Sequence, residues 1–406
     1  MAHVKWMVVP LLMFALVLAG CQPLVAPDLA APAGVEMDAT EAALDSASVA
    51  QIEAFVAQEM EAKEIPGVSL GIVKDGEIVY AKGFGEAEYG TGRPMTPQTQ
   101  FAVACVTKSL TTAAIMQLVD QGLIDLDAPV VEYLPYFKLA DERYQEITIH
   151  DLLANTAGLP MPNYVALYGG FSQNPTWSPE LLEDYVRSLA DKPMAVDPAD
   201  NIFMYGGDYF DILGDVIAKV SGQPFEEYMG EHILAPVGLE HTTFIVDELD
   251  PELAAAAHWR DEAGEMQISV PSPTYYPAHT PSNGMFSTTE DLLKWAIVNL
   301  NRGEWEGTQI VPAAAYDKMW TPYTEIPWGG IYQHWGYGWG ISDVENNRLV
   351  FWGGGHIGSP TAYYLVPEEN LGVFVGANRS LEAVKGNEYA DAIALPVVKL
   401  LLGLDE

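Results

Sequence analysis

Cysteine is almost absent from this chain: 406 residues carry only Cys21 and Cys105. Cys21 falls in an N-terminal targeting segment, so Cys105 is left without a partner and no disulfide is expected. Cations are scarce as well. Nineteen Lys and Arg against 56 Asp and Glu give a formal net charge of −37. So few cations build no basic patch, which excludes nucleic acid as a partner and points to a strongly solvated acidic surface. Metal-ligand spacings are missing too. No His-x-x-x-His or Cys-x-x-Cys pair occurs, and His334 and His356 stand alone, so no metal is expected. Gly353-Gly354-Gly355 precedes an extended stretch rather than a helix, which argues against a nucleotide loop, and no cofactor is expected. There is no internal repeat.

The one long apolar run, Trp6 to Leu18 after Lys5, is short for a membrane-spanning helix and fits a signal-peptide core. Leu18-Ala19-Gly20-Cys21 resembles the bacterial lipoprotein signal, which implies lipidation of Cys21, export, and attachment to the cell envelope through an N-terminal lipid. Residues 1–21 therefore read as a signal peptide, and the Ala- and Pro-rich residues 22–46 as a tether. Residues 47–404 hold the folded domain. Hydrophobic residues make up 49% of the chain, with 10 Trp, enough for a large core.

Within that domain the apolar stripe Ile52, Phe55, Val56, Met60 predicts a helix over about 48–63. Residues 68–73 and 77–81 around Asp75-Gly76 predict a β-hairpin. The region from Cys105 to about Leu300 reads as mainly helical, with helices at 107–121, 148–155, 178–189, 208–221, 225–233 and 288–301. A loop-rich, proline-rich stretch lies between 247 and 285. Strands return at 336–342, 348–353, 361–366 and 371–377, and a last helix spans about 387–402. Strands at both ends and helices between them predict one sheet built from both termini with a helical lobe inserted.

The stretch Phe101 to Leu118, FAVACVTKSLTTAAIMQL, is where chemistry concentrates. It begins extended and turns helical at Cys105, with Lys108 three positions on and on the same helix face. A thiol in the first turn of a helix sits near unpaired N–H groups and the positive end of the dipole. With an amine beside it, it has the setting of a nucleophile with a nearby base. Alternatively, Cys105 is a buried cysteine in an apolar helix.

Several passages together resemble the serine β-lactamase-like and penicillin-binding-protein-like hydrolases, in the branch of class C β-lactamases, D-aminopeptidases and esterases. They are PGVSLGIVKDGEIVYAKGFG, FAVACVTKSLTTAAIMQLVDQGLIDLDAPV, ITIHDLLANTAGLP, FMYGGDYFDILGDVIAKVSGQPF, SNGMFSTTEDLLKW and GGGHIGSPTAYYLVPEENLGVFVGAN. The resemblance covers roughly Ile65 to Ala377. The resemblance implies an α/β (α+β) β-lactamase/transpeptidase-like fold, an antiparallel sheet flanked by helices with an inserted helical lobe. It implies acyl transfer to or from a small ester, amide or peptide. Carried onto this chain, it makes Cys105 the nucleophile, Lys108 the base, and Tyr205 the proton donor to the leaving group. His356-Ile357-Gly358 takes the third motif, on a strand lining the pocket. The backbone N–H groups of Cys105 and Ser359 become the oxyanion hole.

The chain departs from that pattern at defined places. Cys105 stands where the family has serine. Gly207 stands where Tyr-x-Asn places an asparagine that anchors substrate amides, and Ile357 replaces a hydroxyl residue that helps hold a carboxylate. Asn155 and Ala157 replace the usual His and Ser. These changes predict an esterase or a narrow peptidase rather than an efficient β-lactamase. The expectation is therefore an envelope acyl hydrolase or acyltransferase working through an acyl-enzyme at Cys105. The rival is a catalytically silent envelope protein that binds peptidoglycan peptides or a protein partner.

Overall fold

The structure is a computed structural model that describes residues 44–160, 177–261, 263–270, 272, 275–380 and 387–404. Cys21, the apolar run before it and nearly all of the expected tether lie outside the described residues.

Asp45 accepts from the N–H groups of Ala47 and Ser48 and so caps helix α1 (Ser46–Lys63), as expected of a short side-chain acceptor at that position. The helix stops at Glu64, which takes a left-handed conformation. Strands β1 (Gly67–Lys74) and β2 (Glu77–Gly85) follow as the predicted hairpin. Asp75 and Gly76 both have positive φ, 53° and 83°, the geometry a two-residue hairpin turn requires. The short β3 (Phe101–Ala102) leads through one 3₁₀ turn into α2 (Thr107–Asp120). Helix α3 (Ile149–Leu153) opens with a reciprocal capping box between Thr148 and Asp151. Helices α4 (Leu181–Ser188), α5 (Asp208–Ser221) and α6 (Phe225–Met229) complete the middle of the lobe.

The proline-rich stretch is more ordered than expected. It contains a hairpin of β4 (Ala257–Arg260) and β5 (Met266–Ser269), a one-turn helix α7 (Thr280–Asn283), and β6 (Phe286–Ser287), which pairs with β3. Helix α8 (Thr289–Leu300) and the small β7 (Glu304–Trp305) and β8 (Thr308–Gln309) pair come next. The remaining strands are β9 (Thr324–Gly329), β10 (Tyr332–Trp335), β11 (Gly340–Val344), β12 (Asn347–His356), β13 (Ser359–Val366) and β14 (Leu371–Ala377), followed by helix α9 (Glu388–Leu401).

Eight strands form one antiparallel sheet in the order β2-β1-β14-β13-β12-β11-β10-β9. Val68 opposite Ala377 brings the two ends of the domain together. Side chains alternate across its two faces. On β13, Tyr363 and Leu365 join the core shared with the helical lobe, while Ala362, Tyr364 and Val366 join the core under α1 and α9. Both faces are covered, so β13 and β14 are buried at every residue and largely apolar. This is the sheet with an inserted lobe that the sequence predicted. Strands β9 and β10 were not expected; they are short and rich in polar and aromatic residues without clear alternation.

Candidate active site

The turn before α2 is built under constraint. Ala104, a non-glycine residue, has φ +48° and is buried, a conformation that costs about 1–2 kcal/mol. Cys105 follows in a 3₁₀ turn over Ala104–Val106, and helical dihedrals continue through Val106 and Thr107 into α2. Cys105 and Lys108 therefore stand one turn apart along a continuous helical path, and Cys105 is partly exposed.

Strands β12 and β13 hold this turn from the sheet side. Ser359 Oγ donates to the Ala102 carbonyl at 2.9 Å and Thr361 Oγ1 to the Val103 carbonyl at 3.0 Å. At Gly354 an added Cβ would lie 2.1 Å from the Val103 oxygen, so only glycine lets β12 come so close. Ser359, expected to offer its backbone N–H to an oxyanion, thus sits where β13 meets the segment leading to Cys105.

Lys108 is fully buried. Its Nζ donates to the Ser282 carbonyl at 2.8 Å and lies 5.2 Å from the Tyr205 ring centroid and 5.4 Å from that of Phe210. Tyr205 arrives on the loop before α5. Asn155, at φ +57°, supports that loop by accepting from the Met204 N–H at 2.8 Å; asparagine tolerates this conformation better than most residues. The Tyr205 Oη accepts from Trp352 Nε1 at 3.0 Å. Gly207 caps α5, its carbonyl accepting from the N–H groups of Phe210 and Asp211.

His356 closes β12 with its ring buried. Its Nε2 is 2.8 Å from the Asn283 carbonyl, and since a carbonyl only accepts, that nitrogen carries the proton. Burial pushes the imidazole down to about 4, so it is neutral at pH 7. Ile357 and Gly358 differ from expectation. Strand β12 ends at His356 and β13 begins at Ser359, so these two residues are the hairpin turn and not part of a strand. The physical reason is Gly358, whose φ of +72° breaks the extended run and whose N–H donates to Ser380 Oγ at 2.9 Å. The Ile357 carbonyl accepts from Ser272 Oγ at 2.7 Å.

One device was invisible in the sequence. Three consecutive carbonyls of α7 accept from site residues: Pro281 from Thr111 Oγ1 at 2.7 Å, Ser282 from Lys108 and Asn283 from His356. Backbone acceptors have no residue signature; the only hint was the passage SNGMFSTTEDLLKW beginning there. Among the described residues no group of three or more His, Cys, Asp or Glu is placed to hold a metal ion.

A single antiparallel sheet with an inserted helical lobe, which opens with the Cys105 turn and α2, is the β-lactamase/transpeptidase-like fold. The β-lactamase family pattern matches residues 52–397. The chain belongs to the β-lactamase family. Protein flp of Staphylococcus aureus strain MW2 is 27% identical over 351 residues, 84% of this chain and 65% of its own length. The chain thus spans just under two thirds of that relative. Esterase EstB of Burkholderia gladioli is 30% identical over 291 residues, 64% of this chain and 72% of its own. The octameric penicillin-binding protein homologue from Pyrococcus abyssi superposes with a TM-score of 0.74 at 31% identity, over 88% of this chain and 78% of that one. D-amino acid amidase from Ochrobactrum anthropi SV3 gives 0.72 at 20% identity, over 88% and 100% of the two chains, a likeness of fold alone.

Proposed function

We propose that this protein is an acyl hydrolase or acyltransferase that acts on an ester or amide through a thioester at Cys105. The observation that carries this reading is the buried Lys108 amine, one turn beyond a partly exposed Cys105 and against the ring of Tyr205. A buried lysine amine among aromatic rings, with a single neutral carbonyl as its named hydrogen-bond acceptor, is costly to keep unless it has work to do. The esterase and amidase among its similar proteins fit the same chemistry.

In this reading the Cys105 thiol gives its proton to Lys108, and the sulfur attacks the substrate carbonyl. A C–S bond forms as the carbonyl becomes an oxyanion, held by the N–H groups of Cys105 and Ser359. Collapse breaks the bond to the leaving oxygen or nitrogen, which takes a proton from Tyr205, and Tyr205 is reprotonated from Lys108. Water, or another nucleophile, then attacks the thioester and restores the thiol. His356, neutral and tied to α7, positions that helix rather than moving protons. Gly207 and Ile357 offer no side-chain hydrogen bond to a substrate amide or carboxylate, which favours esters over peptides and β-lactams. Cys21 carries the lipid that holds the protein to the outer side of a bacterial membrane; Cys21→Ser should move it from the membrane to the soluble fraction.

The test is mass spectrometry after incubation with p-nitrophenyl esters, D-amino-acid amides and β-lactams. An acyl adduct on Cys105 is expected, together with loss of turnover by at least about 100-fold in Lys108→Met. No adduct with any activated donor, and no gain of turnover in Cys105→Ser, would defeat the reading. It would leave a protein that binds cell-wall peptides without turning them over.

A further inference from the structure

The β9–β10 hairpin at the edge of the sheet carries a tryptophan that is out of place by burial. On β9 the residues Thr324, Ile326 and Trp328 share one face. The first two are buried, yet Trp328 is 48% exposed. It is also not isolated. Its ring centroid lies 5.7 Å from Tyr205, 5.8 Å from Phe203, 6.0 Å from Trp352 and 5.6 Å from Tyr332. Trp328 is therefore the uncovered member of an aromatic cluster whose other rings are largely buried, and that cluster contains the tyrosine expected to protonate the leaving group. Trp352, also within it, donates to the hydroxyl of that same tyrosine.

A half-exposed indole edge-on to Tyr205 offers a flat apolar wall beside the point where a leaving oxygen must sit to receive the Tyr205 proton. Aromatic rings prefer such walls, in stacked or edge-to-face contact. Gly207 has no side chain, Ile357 is aliphatic, and Ile202, next to Phe203, is 45% exposed.

We propose that Trp328, with Phe203 and Trp352, forms the leaving-group subsite, and that the favoured substrates are esters of uncharged, flat, arylmethyl-type alcohols. This rests on the acyl-transfer reading above. The ester C–O bond breaks, the alkoxide takes the Tyr205 proton, and the arylmethyl alcohol leaves across Trp328.

The experiment uses the full protein and acetate esters of methanol, cyclohexylmethanol, benzyl alcohol and 2-naphthylmethanol, alcohols close enough in acidity that shape dominates. The wild type should prefer the arylmethyl esters to methyl acetate by about 10-fold or more in kcat/KM. Trp328→Ala should collapse that ratio toward one, while Trp328→Phe should keep most of it. A ratio unchanged in Trp328→Ala, or a wild type with no arylmethyl preference, overturns the subsite while leaving the hydrolase reading in place. If the wild type turns over none of the esters, binding decides. Saturable quenching of tryptophan fluorescence by 2-naphthylmethanol that is lost in Trp328→Ala keeps the subsite without the hydrolase. Equal or absent binding in both proteins removes it.

Discussion

The hydrogen bond from Trp352 Nε1 to Tyr205 Oη has one possible direction, because an indole N–H donates and cannot accept. It fills a lone pair of the phenol, whose O–H is the proton given to the leaving group in the proposed mechanism. Trp352→Phe keeps an aromatic ring and removes only that donor. It should lower kcat by about 2- to 13-fold, the worth of one ordinary hydrogen bond, with KM for small esters little changed. A loss confined to KM would make Trp352 a packing residue. His356 makes a second prediction at this scale. Its native-state pKa of about 4 lies below the ordinary imidazole value, so between about pH 6.5 and 4 the native state binds fewer protons than the unfolded one. Stability is then fully present above that window and lost as pH falls through it, by up to about 3 kcal/mol. His356→Gln keeps a side-chain N–H and does not titrate. Its Tm should lie below that of the wild type at pH 7.5, with the gap closing toward pH 4.5; a constant gap would show that His356 titrates alike in the native and unfolded states. Cys105, Lys108, Tyr205 and His356 were singled out in the sequence because each is a distinctive side chain in a distinctive passage. Ala104 and the carbonyls of Ser282 and Asn283 were not, because a backbone dihedral or a backbone oxygen looks the same beneath any residue name.

Helix α7 is four residues long and has too few hydrogen bonds to hold its own shape. It is pinned from outside instead. His279, just before it, meets buried Asp211 of α5 at 2.7 Å, and Thr280 Oγ1 donates to Glu226 of α6 at 2.7 Å. Pro281 packs on Gly214 of α5 so tightly that a Cβ there would fall 2.2 Å from the proline Cγ. Gly214→Ala should therefore push α7 away from α5 and disturb the carbonyls that hold Lys108 and His356. The expected result is a loss of about 1–3 kcal/mol in stability, read as a lower Tm, with a fall in kcat. In a Pro281→Gly background the same change should cost much less, since both clashing proline carbons, Cγ and Cβ, are gone. Equal costs in both backgrounds would mean that the strain falls elsewhere. Helices α2, α5 and α8 were legible as long stretches rich in apolar residues. Helix α7 was not, because four residues give no period, and its proline reads as a loop.

The whole molecule is legible in outline because its central strands are buried on both faces, and strands of that kind, such as β13 and β14, announce themselves as short continuous apolar runs. The edge strands β9 and β10, half wet, do not. The acidity of the chain acts at the same scale. Even if each of the 19 Lys and Arg paired with one acid, 56 − 19 = 37 carboxylates would remain. Most of the ion pairs that do form are partly exposed, such as Arg187 with Glu183 and Arg302 with Asp317, and each contributes little. Salt weakens these attractions and the mutual repulsion of the surplus carboxylates together, but the repulsion is the larger sum. Raising NaCl from 10 mM should therefore raise Tm, with most of the gain below about 0.2 M, where the Debye length has shrunk to roughly 7 Å. At pH 4.5, close to the sequence pI of about 4.3, protonation removes the surplus charge and the same titration should be nearly flat. A Tm that falls with salt at pH 7.5 would mean that the ion pairs, and not the excess negative charge, dominate the electrostatics of the fold.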